Sequence, residues 1–162
     1  MSAELTYFIQ EGVLVGKVGE RPFHILALSG GGGGSTKSSP AASTNNPYME
    51  GFRTVAQTKH RPHAHGGPIP PGRYAIKPPA HDSHLGLSAA LLLERGNSMS
   101  RDGFYIHGRG PHGSDGCIVP LDRHQFLKLM EALKGSSGGR LRVIETMGSR
   151  VLPHFHAKYG RG

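Results

Sequence analysis

A mostly β domain, a sandwich or barrel with one helix packed on it, is predicted by three features of this 162-residue sequence. Short apolar and β-branched runs recur along the chain, separated by Gly and Pro turn signals. The chain holds 25 Gly and 12 Pro but no Trp, which favours a turn-rich domain over a helical bundle. One segment, past residue 120, carries clear helical periodicity, so strands dominate and a helix covers them.

The elements follow in order. Leu5 to Val18 reads as a hairpin: Thr6-Tyr7-Phe8-Ile9, a turn at Gln10-Glu11-Gly12, then Val13-Leu14-Val15. Phe23 to Leu28 adds a third strand and completes an antiparallel meander. Gly30 to Pro47 is rich in Gly, Ser and Asn and is expected as a flexible loop; loops of this length in compact domains are commonly functional. Phe52 to Lys59 is a candidate strand, and Gly72 to Lys77 is a stronger one, opened by a Pro-Pro-Gly turn. Leu85 to Arg95 fits both a helix and a buried strand, and a mostly β fold favours the strand. Gly103-Phe104-Tyr105-Ile106-His107 is a strand that delivers a histidine, and Cys117-Ile118-Val119 begins the next.

The helix is expected from Arg123 to Lys134. Asp122 caps it and Gln125 completes an Asp-x-x-Gln capping box. Phe126, Leu129, Met130 and Leu133 share one face, and Gly135 marks the stop. Arg140 to Thr146 is a closing strand, and His154 to Gly162 a basic, frayed tail. The whole of 1–162 is expected as a single domain, large enough to bury a core.

Composition narrows the function classes. One Cys excludes an intrachain disulfide. Glu4, Gln10, Glu11, Lys17 and Glu20 interrupt every apolar run near the start, so no signal peptide is expected. No stretch approaches the roughly 20 apolar residues of a membrane span. The net charge of +8 and pI near 10.0 imply attraction to polyanions. Lys and Arg are scattered and form no recognised nucleic-acid motif, so nucleic acid is not expected as the partner.

The most informative stretch runs from Tyr105 to Ile118. It places the single cysteine ten residues after His107, across a run containing Gly108, Gly110, Pro111, Gly113 and Gly116. Such a run loops, and so returns the chain towards His107. A thiol beside an imidazole is the minimum apparatus for thiolate chemistry. Gly116 lets the backbone turn sharply before the sulfur, and the N–H groups of Gly116 and Cys117 are placed to receive an oxyanion. The plainer alternative is a small buried Cys in a strand core.

The form His107-x6-Ser114-Asp115-Gly116-Cys117-Ile118 resembles the active-site motif of the L,D-transpeptidase (YkuD-like) superfamily, and its short gap is closest to the type VI secretion L,D-transpeptidase effectors. A second block agrees: Asn45-Asn46-Pro47, followed by Gly66-Gly67-Pro68-Ile69-Pro70-Pro71-Gly72-Arg73-Tyr74. The resemblance spans roughly Leu5 to Ile144. It implies a YkuD-like β fold with the helix after the catalytic Cys, no cofactor and no catalytic metal. It implies Cys117 as nucleophile and His107 as base, with Ser114, Gly116 and Gly108 shaping the site. Tyr105, Arg109, His112 and Asp115 are its candidate substrate contacts.

Two positions depart from the family pattern. Asp115 stands where many members carry a second His, and Asp does not replace imidazole as a base near neutral pH. Val119 stands where housekeeping members often carry Arg, which leaves Arg109, Arg73 or Arg101 to bind a substrate carboxylate.

The activity implied is L,D-carboxypeptidase or D-amino acid exchange on tetrapeptide stems of peptidoglycan. An effector of this kind is made in the cytoplasm, secreted by a dedicated machine, active in the periplasm of target bacteria and matched by an immunity protein. Three alternatives stand beside it: a non-catalytic wall- or polyanion-binding module, a basic nucleic-acid-binding domain, and a cysteine peptidase cutting elsewhere in the stem. His60, His63 and His65, and the pair His81 and His84, lack a definite metal-ligand pattern and read as exposed loop residues.

Overall fold

The computed structural model describes residues 1–30, 45, 67–82, 85–94, 103–108 and 116–148. The first hairpin is β1 (Ala3–Phe8) and β2 (Val13–Val18), and β3 (Arg21–Ser29) extends it into an antiparallel meander. Gly12, with φ +65, closes the first turn in a conformation that favours glycine. The remaining elements are β4 (Gly72–Ile76), β5 (Ala80–Asp82), β6 (Gly86–Leu93), β7 (Phe104–His107), β8 (Ile118–Pro120), α1 (Arg123–Lys134) and β9 (Gly139–Ile144).

These strands form one continuous sheet in the order β4-β9-β1-β2-β3-β8-β7-β6, and β6 returns to pair with β4. The result is a closed eight-stranded barrel with no open edge among those strands. β5 pairs with β6 beside β4, after Pro78 and Pro79 interrupt the ladder. The prolines supply no N–H to a sheet, and the register slips by one residue across them. Pairing is antiparallel except at β1–β9 and β7–β8.

The segment that fits both helix and strand resolves as β6. Its residues Ser88, Ala89 and Leu91 are buried, and it is paired along both edges. Tertiary pairing decides an ambiguous apolar run, as it commonly does for buried strands. β5 was not foreseen, because Ala80-His81-Asp82 carries no strand periodicity. Phe52 to Lys59 lies outside the described residues, as does nearly all of Gly30 to Pro47.

The core is filled from the barrel's inner face by Leu5, Tyr7, Leu14, Ile25, Ile69, Tyr74, Leu91, Ile106, Ile118 and Leu141. Tyr74 and Phe104 meet edge to face at 5.9 Å. α1 buries Phe126, Leu129, Met130 and Leu133, the stripe expected from its spacing. Each such side chain contributes roughly 1.5–3 kcal/mol when fully withdrawn from water. At its start, Asp122 Oδ1 accepts from the Gln125 N–H at 2.9 Å. At its end, Gly135 has φ −80, so the stop is not the left-handed glycine cap the sequence implies. The Ser136 hydroxyl donates to Leu133 O at 2.7 Å, and the left-handed step falls at Gly138, φ +88. There a side chain would run into the Ile76 carbonyl oxygen.

Candidate active site

β7 and β8 lie side by side and parallel, with Ile106 opposite Ile118. Phe104 and Ile106 face the core, so the two-residue period turns Tyr105 and His107 to the other face, where both are half-buried. Cys117 immediately precedes β8 and is half-buried, and its neighbour Ile118 is wholly inside. Continuing the register one place sets Cys117 beside Tyr105, with His107 one step further along the same face. The barrel thus places the two residues expected to carry the chemistry on adjoining strand segments, β7 and the start of β8. Cys117 Sγ lies 3.9 Å from the Gly103 carbonyl oxygen, at the distant limit for a sulfur contact.

His107 Nδ1 is 2.7 Å from the Gly108 carbonyl oxygen. A carbonyl only accepts, so Nδ1 carries the hydrogen and the neutral ring keeps its lone pair on Nε2. Burial lowers the pKa of His107 below the ordinary histidine value, and the bond to Gly108 opposes this in part. The imidazole is therefore held neutral and in one tautomer, as a general base requires. Gly108 packs against Phe126 of α1, which would meet an added Cβ at 3.4 Å. The helix after the cysteine thus backs the loop that orients the histidine.

Behind Gly116 sits a polar cluster that the motif does not announce. Ser29, at the end of β3, is fully buried. Its hydroxyl donates to Gly116 O at 3.0 Å and accepts from the Ile69 N–H at 2.9 Å. Asn45 grips Ser29 twice: Ser29 N–H donates to Asn45 Oδ1 at 2.8 Å, and Asn45 N–H donates to Ser29 O at 2.8 Å. Tyr7 O–H donates to the same Asn45 Oδ1 at 2.9 Å. Burial holds the Tyr7 phenol far above its usual pKa, so it stays a donor. Asn45 has φ +52, a left-handed conformation that Asn tolerates better than most residues.

The Asn-Asn-Pro block and the Gly-Pro-Ile-Pro block therefore meet at one serine, directly behind the residue that precedes Cys117. One signal for Ser29 was present in the sequence: it continues the inward alternation of Ile25 and Ala27. A hydroxyl on a core-facing position needs partners.

Arg101, Arg109, His112, Ser114 and Asp115 lie outside the described residues. So do His60, His63, His65 and His84, while His81 is exposed on β5. Arg73 is exposed on β4 and lines a separate groove of about 450 Å³ with Glu4, Thr6, Glu94, Arg140 and Arg142. That groove lies on the β4–β9–β1 wall, away from β7 and β8 in the barrel order. No described helix is long and apolar enough to cross a membrane.

No family model matches the chain, and no curated protein matches it in sequence. Among solved structures it is similar to the K307A mutant of the helical cell shape determining protein Pgp2 from Campylobacter jejuni, with a TM-score of 0.52 at 13% identity. The match covers 98% of this chain and 55% of Pgp2, so the chain spans about half of that protein's length. At this identity the likeness is one of fold alone.

Proposed function

We propose that this protein is a cysteine-dependent enzyme acting on the tetrapeptide stems of peptidoglycan, as an L,D-carboxypeptidase or an L,D-transpeptidase that exchanges D-amino acids. The observation that carries this reading is the tautomer of His107. Its Nδ1–H is committed to Gly108 O, which leaves Nε2 as the nitrogen able to act as a base and supports this role for His107. The fold shared with Pgp2, a cell shape determining protein, supports a substrate in the cell wall.

Nε2 of His107 takes the thiol proton, and the thiolate attacks the carbonyl of the diaminopimelate residue before terminal D-alanine. The carbonyl electron pair moves to oxygen, where backbone N–H groups at Gly116 and Cys117 receive the oxyanion. As the pair returns, the C–N bond breaks and protonated His107 gives its proton to the departing D-alanine amine. A thioester remains on Cys117. Water, activated by His107, releases a tripeptide stem; a free D-amino acid releases an exchanged stem.

Either outcome removes the donor stems needed for crosslinking, which makes the protein an antibacterial toxin. In this role it is secreted, acts in the periplasm of target bacteria and requires an immunity protein in the cell that makes it. The resemblance of both motif blocks to type VI secretion effectors supports that assignment.

Mass spectrometry of purified muropeptides, with wild type and Cys117→Ala and with or without an added D-amino acid, tests the chemistry. Loss of one alanine from tetrapeptide stems, or its replacement by the added residue, is expected with wild type alone. Cleavage at another bond would make it a different cysteine peptidase, and unchanged stems would remove the enzymatic reading.

The Arg-lined groove favours a second reading, a polyanion-binding module. Arg73 lies directly opposite Arg142 in the β4–β9 ladder, and Arg140 stands two residues along on the same face. Retention on an anionic matrix that falls steeply with salt, without any Cys117-dependent product, would select it.

A further inference from the structure

Ser29 is the buried polar group whose bonds reach nearest to Cys117. Its hydroxyl has one hydrogen. Because the Ile69 N–H occupies a lone pair of Oγ, that hydrogen is directed to Gly116 O. The Gly116–Cys117 peptide unit is planar and trans, as are all the described peptide bonds. In such a unit the C=O and the following N–H point to opposite sides. Drawing the Gly116 carbonyl inward onto Ser29 therefore turns the Cys117 N–H away from Ser29.

Gly116 makes this control necessary. At φ +115 it occupies backbone space open to glycine, which allows the adjoining peptide to turn either way. A chain of bonds then holds Ser29 itself: Tyr7 to Asn45, and Asn45 to both the N–H and the C=O of Ser29. β3 also pairs Ser29 with Ile118, so its backbone is set against the strand that starts beside the cysteine.

We infer that Ser29, fastened by Asn45 and Tyr7, is a positioning residue that orients the Gly116–Cys117 peptide so that the Cys117 N–H donates to the oxyanion formed on an attacked acyl carbonyl. The inference rests on Cys117 being the nucleophile proposed above. It touches neither substrate nor sulfur; it acts through the peptide.

Two reactions of the same thiol separate this role from simple support. Alkylation by iodoacetamide needs the thiolate but no oxyanion donor, whereas release of D-alanine from a disaccharide tetrapeptide needs both. Ser29→Ala is expected to leave the alkylation rate and its pH profile within about 2-fold. Its kcat is expected to fall by about 100-fold, the scale of one lost oxyanion donor, with KM little changed. Ser29→Thr keeps the hydroxyl and is expected to recover most of kcat.

Tyr7→Phe keeps the ring in the core and removes only the outermost bond. It is expected to lower kcat by a few-fold with alkylation unchanged, and it remains informative if Ser29→Ala does not fold. Wild-type kcat in soluble Ser29→Ala, or parallel loss of alkylation and turnover in both variants, overturns the inference while leaving Cys117 as nucleophile. Absence of product from the wild type overturns it together with the proposed reaction.

Discussion

Strands β1 and β9 pair over six positions, and β1 with β2 over another six, whereas β7 and β8 meet at a single register position, Ile106 opposite Ile118. The first wall is held by long, continuous backbone ladders. The second wall carries the candidate site and draws on side chains to hold its backbone: Ser29 Oγ on Gly116 and His107 Nδ1 on Gly108. The difference teaches where each kind of residue matters. In the long-ladder wall, shape and backbone approach govern stability; beside Cys117, a few polar atoms govern geometry, with little ladder behind them.

The largest expected effect breaks the second wall's chemistry without touching either ladder. Cys117→Ala is expected to abolish turnover, because no other thiol exists in the chain. The melting transition is expected to stay within about 1 kcal/mol of wild type, since a half-buried thiol contributes little packing. Residual turnover above the uncatalysed rate would remove Cys117 from the reaction.

The next break belongs to the first wall. A Cβ on Gly139 would overlap the Ala3 carbonyl oxygen where β9 runs parallel to β1. Gly139→Ala is expected to cost about 3 kcal/mol, the upper range for overpacking against backbone that cannot move aside. Chemical denaturation measures the loss, and kcat per folded molecule is expected to stay unchanged. A fall in kcat equal to that of a site variant would mean the two walls are not independent.

His107 gives a smaller effect whose direction is set by its environment. Burial lowers its folded-state pKa below the unfolded value near 6.5, so the unfolded chain binds the extra proton first as pH falls. The stability it contributes is complete above the unfolded pKa and is lost as pH falls towards the folded one. Melting temperature should therefore decline below about pH 6.5, and His107→Gln should flatten that decline. The acid limb of kcat/KM, reporting the same base, is expected below the ordinary histidine range. An acid limb at or above pH 6.5 would contradict the buried, neutral imidazole.

Much of this was legible from residue patterns, for physical reasons that also explain the gaps. Strong two-residue alternation and turn glycines marked β1, β2, β3, β4 and β7, and the helical stripe and Asp122 cap marked α1 to the residue. His107, Gly116 and Cys117 stood out because their chemistry is rare and their spacing tight. The Ser29 network was not foreseen, because its partners Tyr7, Asn45, Ile69 and Gly116 are scattered over more than a hundred residues. Only barrel closure gathers them. β5 escaped for the opposite reason: it is too short for any period to show, and exists by pairing with β6.

The smallest expected effect sharpens the comparison on the outer face of the first wall. Arg73 and Arg142 are directly opposed across β4 and β9, and like charges in that relation cost a few tenths of a kcal/mol up to about 1. Arg142→Glu replaces repulsion by attraction and is expected to stabilise by about 0.5 kcal/mol at low salt, with the gain shrinking as salt screens it. The same change lowers the groove's positive charge, so retention on an anionic matrix should weaken and show a shallower salt dependence. Turnover at Cys117 should not change, since the groove lies on another wall of the barrel. If Arg142→Glu left both stability and retention untouched, the arginines would be independently solvated surface residues. A gain in stability with a loss of retention would mark the groove as a surface where stability is lost in favour of binding anions.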